Sequence, residues 1–133
     1  MLYYMFNMPD RAQKSILVVD SDPYYCSMMI SALRSAGYYA SACSEKEALI
    51  TIKKSVFDLV LLDMGMFSIS ARQLLTAIRQ KETFLPVFTV ADPADKMFVI
   101  DLLRNGYKDF LERYMAGALE CGKRLDIYHG TGL

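Results

Sequence analysis

Residues 58–63 read Asp58-Leu59-Val60-Leu61-Leu62-Asp63, four aliphatic side chains in succession with an acid at each end. Apolar residues at consecutive positions need burial on both faces, which is how a central strand of a parallel sheet reads. Asp63 stands where that strand runs out. In open α/β sheets, ligands and chemistry collect at the carboxyl ends of the strands, which makes this acid a candidate site residue. The competing reading is a solvated residue that opens a loop, and the stretch alone does not decide between them.

Towards the N-terminus, Ser15 to Asp20 is a second β-branched run, Ile16-Leu17-Val18-Val19, again closed by an acid. Asp22-Pro23 then joins a capping acid to a proline suited to a first helical turn. Met28, Met29, Ala32, Leu33 and Ala36 recur at helical spacing until Gly37. Tyr38 to Ala42 alternates weakly, as a strand nearer the sheet edge does. Ser44-Glu45-Lys46-Glu47 fits a capping box and opens a helix whose apolar face is Ala48, Leu49 and Ile52.

Towards the C-terminus, Met64 to Ile69 reads as a loop. Ser70-Ala71-Arg72-Gln73 repeats the capping pattern ahead of Leu74, Leu75 and Ile78. Pro86 to Val90 is a fourth strand, with proline tolerated at its start. Asp92-Pro93 opens a helix carrying Met97, Phe98, Ile100, Leu102 and Leu103 and stopped by Gly106. Tyr107 to Leu111 reads as a short fifth strand. Tyr114, Ala118, Leu119, Leu125 and Tyr128 suggest a closing helix, although Gly117 and Gly122 each cost it about 1 kcal/mol relative to alanine.

Five strands alternating with five helices predict an α/β fold: a three-layer, doubly wound (βα)5 parallel sheet with right-handed crossovers and the flavodoxin-like strand order 2-1-3-4-5. The expected organisation is a leader at 1–14, one domain at 15–128 and a tail at 129–133.

At 133 residues the chain can bury a core without disulfides or a structural metal. Fifteen basic and fifteen acidic residues balance, so no electrostatic footprint for nucleic acid or an acidic membrane surface is present. The three cysteines, Cys26, Cys43 and Cys121, have no ligand-like spacing and leave an odd thiol, which points to a reducing cytoplasm. The apolar start, Met1 to Met8, lacks the basic residues and cleavage site of a signal peptide and is too short to span a bilayer, so a soluble protein is expected. That segment reads equally as a stretch that packs on the domain or a neighbouring chain and as a disordered end.

In the expected strand order the first and third strands are neighbours, so Asp20 and Asp63 face one another. Two like charges about 4 Å apart repel by roughly 4 kcal/mol at an effective dielectric of ~20, so the pair needs a divalent cation or a raised pKa. Hard oxygen donors in a partly hydrated site favour Mg²⁺.

With these elements in order, the chain resembles the response-regulator receiver domain of two-component signalling over roughly residues 15–128. The matching stretches are Ile16-Leu17-Val18-Val19-Asp20-Ser21-Asp22-Pro23, Gly37-Tyr38, Asp58 to Met66, Ile78-Arg79, Leu85-Pro86-Val87 and Gly106-Tyr107-Lys108-Asp109-Phe110-Leu111. The resemblance implies that Asp63 is the phosphoacceptor, and that Asp20, Asp63 and the Gly65 backbone carbonyl hold Mg²⁺. The phosphoryl group would come from a sensor histidine kinase. The signal would leave through a face built from the fourth helix, fifth strand and fifth helix, towards an output protein or through a homodimer.

The resemblance lapses at the supporting positions. Ser21 stands where the family has a second acid, Ala91 where it has a hydroxyl at the end of the fourth strand, and Arg113-Tyr114 where it has lysine-proline. Phe67 and Ala71 replace a proline and a glycine. Arginine keeps the charge but not the compact ammonium, and a missing charge-assisted hydrogen bond costs such a site about 1.5–3 kcal/mol. Phe110 falls at the aromatic switch position, and with only Ala91 beneath it, it is expected to stand inward without any signal.

Two functions therefore compete: a receiver phosphorylated on Asp63 with Mg²⁺, regulatory rather than enzymatic, and a pseudo-receiver that uses the same fold purely as a protein–protein interaction module. A third, a flavodoxin-like FMN carrier, would need a Ser/Thr/Gly-rich phosphate loop after the first strand, where Ser21-Asp22-Pro23-Tyr24-Tyr25 is not one. His129, the single histidine, lies near a glycine-rich end and reads as a surface or tail residue rather than a ligand. The nine methionines read as core filler.

Overall fold

The apolar runs form parallel strands because each sends alternate side chains to opposite faces and both faces are covered. In the computed structural model, residues 13–65, 68–81, 84–121 and 126–127 are described. The elements, in chain order, are β1 (Ser15–Val19), α1 (Pro23–Ser35), β2 (Tyr39–Cys43), α2 (Glu45–Lys54), β3 (Leu59–Asp63), α3 (Ser68–Lys81), β4 (Val87–Val90), α4 (Pro93–Arg104), α5 (Asp109–Cys121) and β5 (Asp126–Ile127). The strands lie in the order β2-β1-β3-β4-β5, all parallel. The predicted α/β class and the order 2-1-3-4 of the first four strands hold. Residues 1–12 of the leader, and His129 with its tail, lie outside the described residues.

The sheet divides the core in two. Ile16, Val18, Leu59, Leu61, Phe88 and Val90 face α1, α4 and α5, meeting Leu33, Val99, Ile100, Leu103 and Leu111. Leu17, Val19, Val60, Leu62 and Val87 face the other way, onto Ala48 and Ile52 of α2 and Leu74 and Ile78 of α3. A fully buried side chain such as Leu62 contributes about 1.5–3 kcal/mol over its exposed state.

The helix starts follow the predicted chemistry at two places. The Asp22 carboxylate accepts from the Tyr24 N–H at 2.9 Å, and the Asp92 carboxylate accepts from the Asp95 N–H at 3.0 Å, each followed by proline in the first turn. At α2, the Glu47 carboxylate accepts from the Ser44 N–H at 3.3 Å. Helix α3 begins at Ser68, so the capping pattern expected at Ser70 lies inside it. Gly37 and Gly106, with φ of 98° and 84°, take the left-handed conformation that ends α1 and α4.

Asp58, the other acid of the central stretch, ties the opposite end of the sheet. Its carboxylate accepts from the Ser15 N–H at 2.8 Å, while its own N–H donates to the Ser15 carbonyl at 2.7 Å. It fixes the starting register of β1 beside β3.

The expected strand at Tyr107 to Leu111 is not formed. The Tyr107 N–H closes a turn on the Leu102 carbonyl at 2.8 Å, and Asp109 starts α5. The physical reason is a helical period that the short run conceals. Phe110 and Tyr114, four residues apart, both meet the Phe88 ring edge to face, with centroids at 6.2 and 5.0 Å, while Leu111 and Met115 bury one turn apart. The closing helix therefore spans Asp109–Cys121, and the fifth strand is the two-residue β5, paired with Val87 and Phe88. The face expected from a helix, a strand at 107–111 and a further helix is not assembled in that form.

From β2 to β3 and from β3 to β4 the chain crosses through α2 and α3 on one face of the sheet, whereas α4 and α5 pack on the α1 face. Helix α4 packs along α1, burying Val99, Ile100 and Leu103 there, and the head of its buried stripe is Lys96.

Candidate functional site

Asp20 follows β1 directly, and its N–H continues the β1–β2 ladder by donating to the Cys43 carbonyl at 3.1 Å. Asp63 is the last residue of β3, beside Val90 of β4. Because β1 and β3 pair in parallel with Val19 opposite Leu62, both acids emerge at the carboxyl end of the sheet. The turn after each strand folds back on its acid. The Asp22 N–H donates to Asp20 Oδ1 at 2.9 Å, and the Gly65 N–H donates to Asp63 Oδ1 at 2.9 Å. A Cβ on residue 65 would stand 3.1 Å from Asp63 Oδ1, so this close approach favours glycine.

The other oxygen of each acid goes to one cation. Lys96 Nζ lies 2.8 Å from Asp20 Oδ2 and 3.3 Å from Asp63 Oδ2, and the Tyr25 ring of α1 covers it with its centroid at 4.5 Å. The Lys96 and Asp20 side chains are 7% and 5% exposed and that of Asp63 is 18% exposed. Burial opposes the Lys96 charge, but the hydrogen bond to Asp20 and the charges of both acids outweigh it and raise its pKa. Burial, then the Asp20 charge, raises the Asp63 carboxyl, with Lys96 and the Gly65 N–H pulling the other way. Burial also raises Glu45, the first residue of α2, and the charges of Asp63 and Asp20 add to it, so a third carboxyl feels the pair.

The ammonium that reaches the acids is thus Lys96 and not the expected Arg113, which is exposed on α5. Ala91 is exposed just beyond β4, and Ser21 is exposed after Asp20. Phe110 is half-buried in the first turn of α5. Met66 and Phe67 lie outside the described residues.

Sequence reasoning passes over Lys96 although it leaves a signal. Residues 96, 99, 100 and 103 form one helical stripe, and a lysine at its head also sits in a first turn, where the helix dipole disfavours a cation. A charge in that place requires acids nearby.

The donor set does not fit Mg²⁺ as it stands. Both Oδ2 atoms are bonded to Lys96 and both Oδ1 atoms accept backbone N–H groups, while Ser21 brings no charge. Among the described residues, no group of three or more histidine, cysteine, aspartate or glutamate side chains is arranged to hold a metal ion. The Lys96 ammonium offsets one of the two carboxylate charges, and a divalent cation using the Oδ2 atoms would have to displace it.

Residues 16–118 match the family model described as the response regulator receiver domain. The transcriptional regulatory protein ZraR of Escherichia coli K12 is 33% identical over 97 residues, covering 72% of this chain and 22% of that protein. The C4-dicarboxylate transport transcriptional regulatory protein DctD of Pseudomonas aeruginosa is 27% identical over 106 residues, covering 79% of this chain and 23% of its own length. The chain thus spans under a quarter of these curated relatives. Among solved structures, NtrX from Brucella abortus superposes with a TM-score of 0.65 at 17% identity, covering 83% of this chain and 28% of that one. The chemotaxis response regulator CheY4 of Vibrio cholerae does so with a TM-score of 0.59 at 20% identity, covering 76% and 98%. At these identities the two structures speak for the fold.

Proposed function

Because the chain belongs to the response regulator receiver domain family, we propose that it is a receiver-type signalling module acting through protein–protein contact, without phosphoryl transfer to Asp63. The observation that carries this reading is the Lys96 ammonium lying between Asp20 and Asp63. Acceptance of a phosphoryl group needs a carboxylate oxygen free for in-line attack and preorganised charge and donors for the incoming oxygens. Here both Asp63 oxygens are engaged, Ala91 offers no hydroxyl, and Ser21 supplies no second charge.

The partner in this reading is a sensor histidine kinase or a downstream output protein, or a second copy of the chain, with no nucleic acid bound by the domain itself. The setting is the reducing cytoplasm, in keeping with the free thiols of Cys26 and Cys43. Among the described residues, no helix is long and apolar enough to cross a membrane.

One observation favours the second reading, a Mg²⁺-dependent phosphoacceptor: the Asp63 side chain is the more open of the pair, 18% exposed against 5% for Asp20. Incubation with acetyl phosphate and Mg²⁺, followed by intact-mass measurement, separates the two. The expected result is no adduct. A phosphoryl adduct on the unmodified chain that is absent from Asp63→Asn overturns the proposal.

A further inference from the structure

The position of Lys96 is costly unless the acids require it. It stands in the first turn of α4, at the end of the helix where the dipole repels a cation, and at the head of a stripe whose other members, Val99, Ile100 and Leu103, are fixed against α1. The helix that carries the ammonium is therefore held in place beside the acids. Tyr25 of α1 closes it from one side, and the two acids take it from the other.

We propose that Lys96 is a tethered cation standing where a divalent metal would bind, so that the domain offsets the charge repulsion of Asp20 and Asp63 from within and excludes the metal. This rests on its reading as a module that works without phosphoryl transfer. The ammonium and a metal compete for the same Oδ2 atoms, and the ammonium, delivered by its own helix, has an effective concentration that a free ion has to overcome. Loss of Lys96 leaves the two carboxylates facing each other with no cation between them. Oxygen donors of that kind suit Mg²⁺ or Mn²⁺. Lys96 thus acts as a specificity-determining residue for the cation the site accepts, and it fastens α4 to the strand ends in a single state.

The test titrates the full chain with Mn²⁺ and follows water-proton relaxation. The unmodified chain is expected to show no saturable site over the range titrated, whereas Lys96→Met, which keeps the length of the stem, gains one whose midpoint lies at least about tenfold below the top of that range because no ion pair has to be broken. Asp20→Asn in that background removes the gain, and Lys96→Arg, which keeps the charge, shows none. A saturable site in the unmodified chain, or a folded Lys96→Met that gains nothing, overturns the proposal. Should Lys96→Met fail to fold, the Lys96 ¹³Cε resonance of the unmodified chain under Mg²⁺ decides. An unmoved resonance supports the tethered cation, and displacement of the ammonium overturns it. An acetyl phosphate adduct on a chain that binds no Mn²⁺ would remove the interaction-module reading and leave the tethered cation standing.

Discussion

Replacing Lys96 by methionine should destabilise the fold by about 3–5 kcal/mol at neutral pH, the usual cost of removing one partner from a buried ion pair. The structure puts Lys96 in that class. Its side chain is 7% exposed, its partner Asp20 is 5% exposed, and both ion pairs are short, at 2.8 and 3.3 Å. Methionine retains most of the apolar stem, so the loss reports charge rather than a cavity. For a domain of this size the loss lowers Tm by roughly 10–20 °C.

The pH dependence carries a sign. Asp63 already has a raised pKa through burial and the Asp20 charge, with Lys96 pulling it back, so removing Lys96 raises it further. A carboxyl whose folded pKa exceeds its unfolded one contributes stability on the acid side that is lost as pH rises through the folded value. The deficit of Lys96→Met should therefore shrink as the solution is acidified from neutral pH. Urea titrations followed by far-ultraviolet circular dichroism at neutral and mildly acidic pH give both numbers; the chain has no tryptophan to serve as a probe. A neutral-pH loss under about 1 kcal/mol, or a deficit that grows on acidification, would refute the buried-cluster reasoning.

Lys96 itself has a folded pKa above its ordinary 10.5, so its contribution is complete below that value and disappears as pH rises through the higher one. An alkaline loss of stability in the unmodified chain should be missing from Lys96→Met when the urea titrations are extended to alkaline pH. Arg113→Ala, at an exposed position on α5, should leave urea stability within about 0.5 kcal/mol, and a larger loss would place that guanidinium in an interaction that matters. Asp92→Ala removes the cap that accepts from the Asp95 N–H and should cost about 1 kcal/mol by denaturant titration, since it starts the helix that delivers Lys96.

The strands legible in the sequence are those whose pattern admits one solution. Ile16-Leu17-Val18-Val19 and Leu59-Val60-Leu61-Leu62 are apolar at every position, and only a strand covered on both faces buries them all. Phe110, Leu111, Tyr114 and Met115 admit two, because a short run ahead of a glycine-weakened helix fits a strand as well. Phe88, arriving from β4, gives Phe110 and Tyr114 a common face to meet. The local pattern is ambiguous, and a ring distant in sequence resolves it in favour of the helix.

The sequence by itself determined the fold class, the first four strands and the address of Asp20 and Asp63, because burial period and strand-end position are local properties. What the acids face was decided by tertiary structure alone. Which face of the sheet α4 packs against depends on α1, and that packing, not any motif around Asp63, brings a lysine 33 positions further along the chain against both carboxylates. An electrostatic site is set by distances in space, and in this protein the deciding charge comes from a helix whose placement no short stretch of sequence encodes.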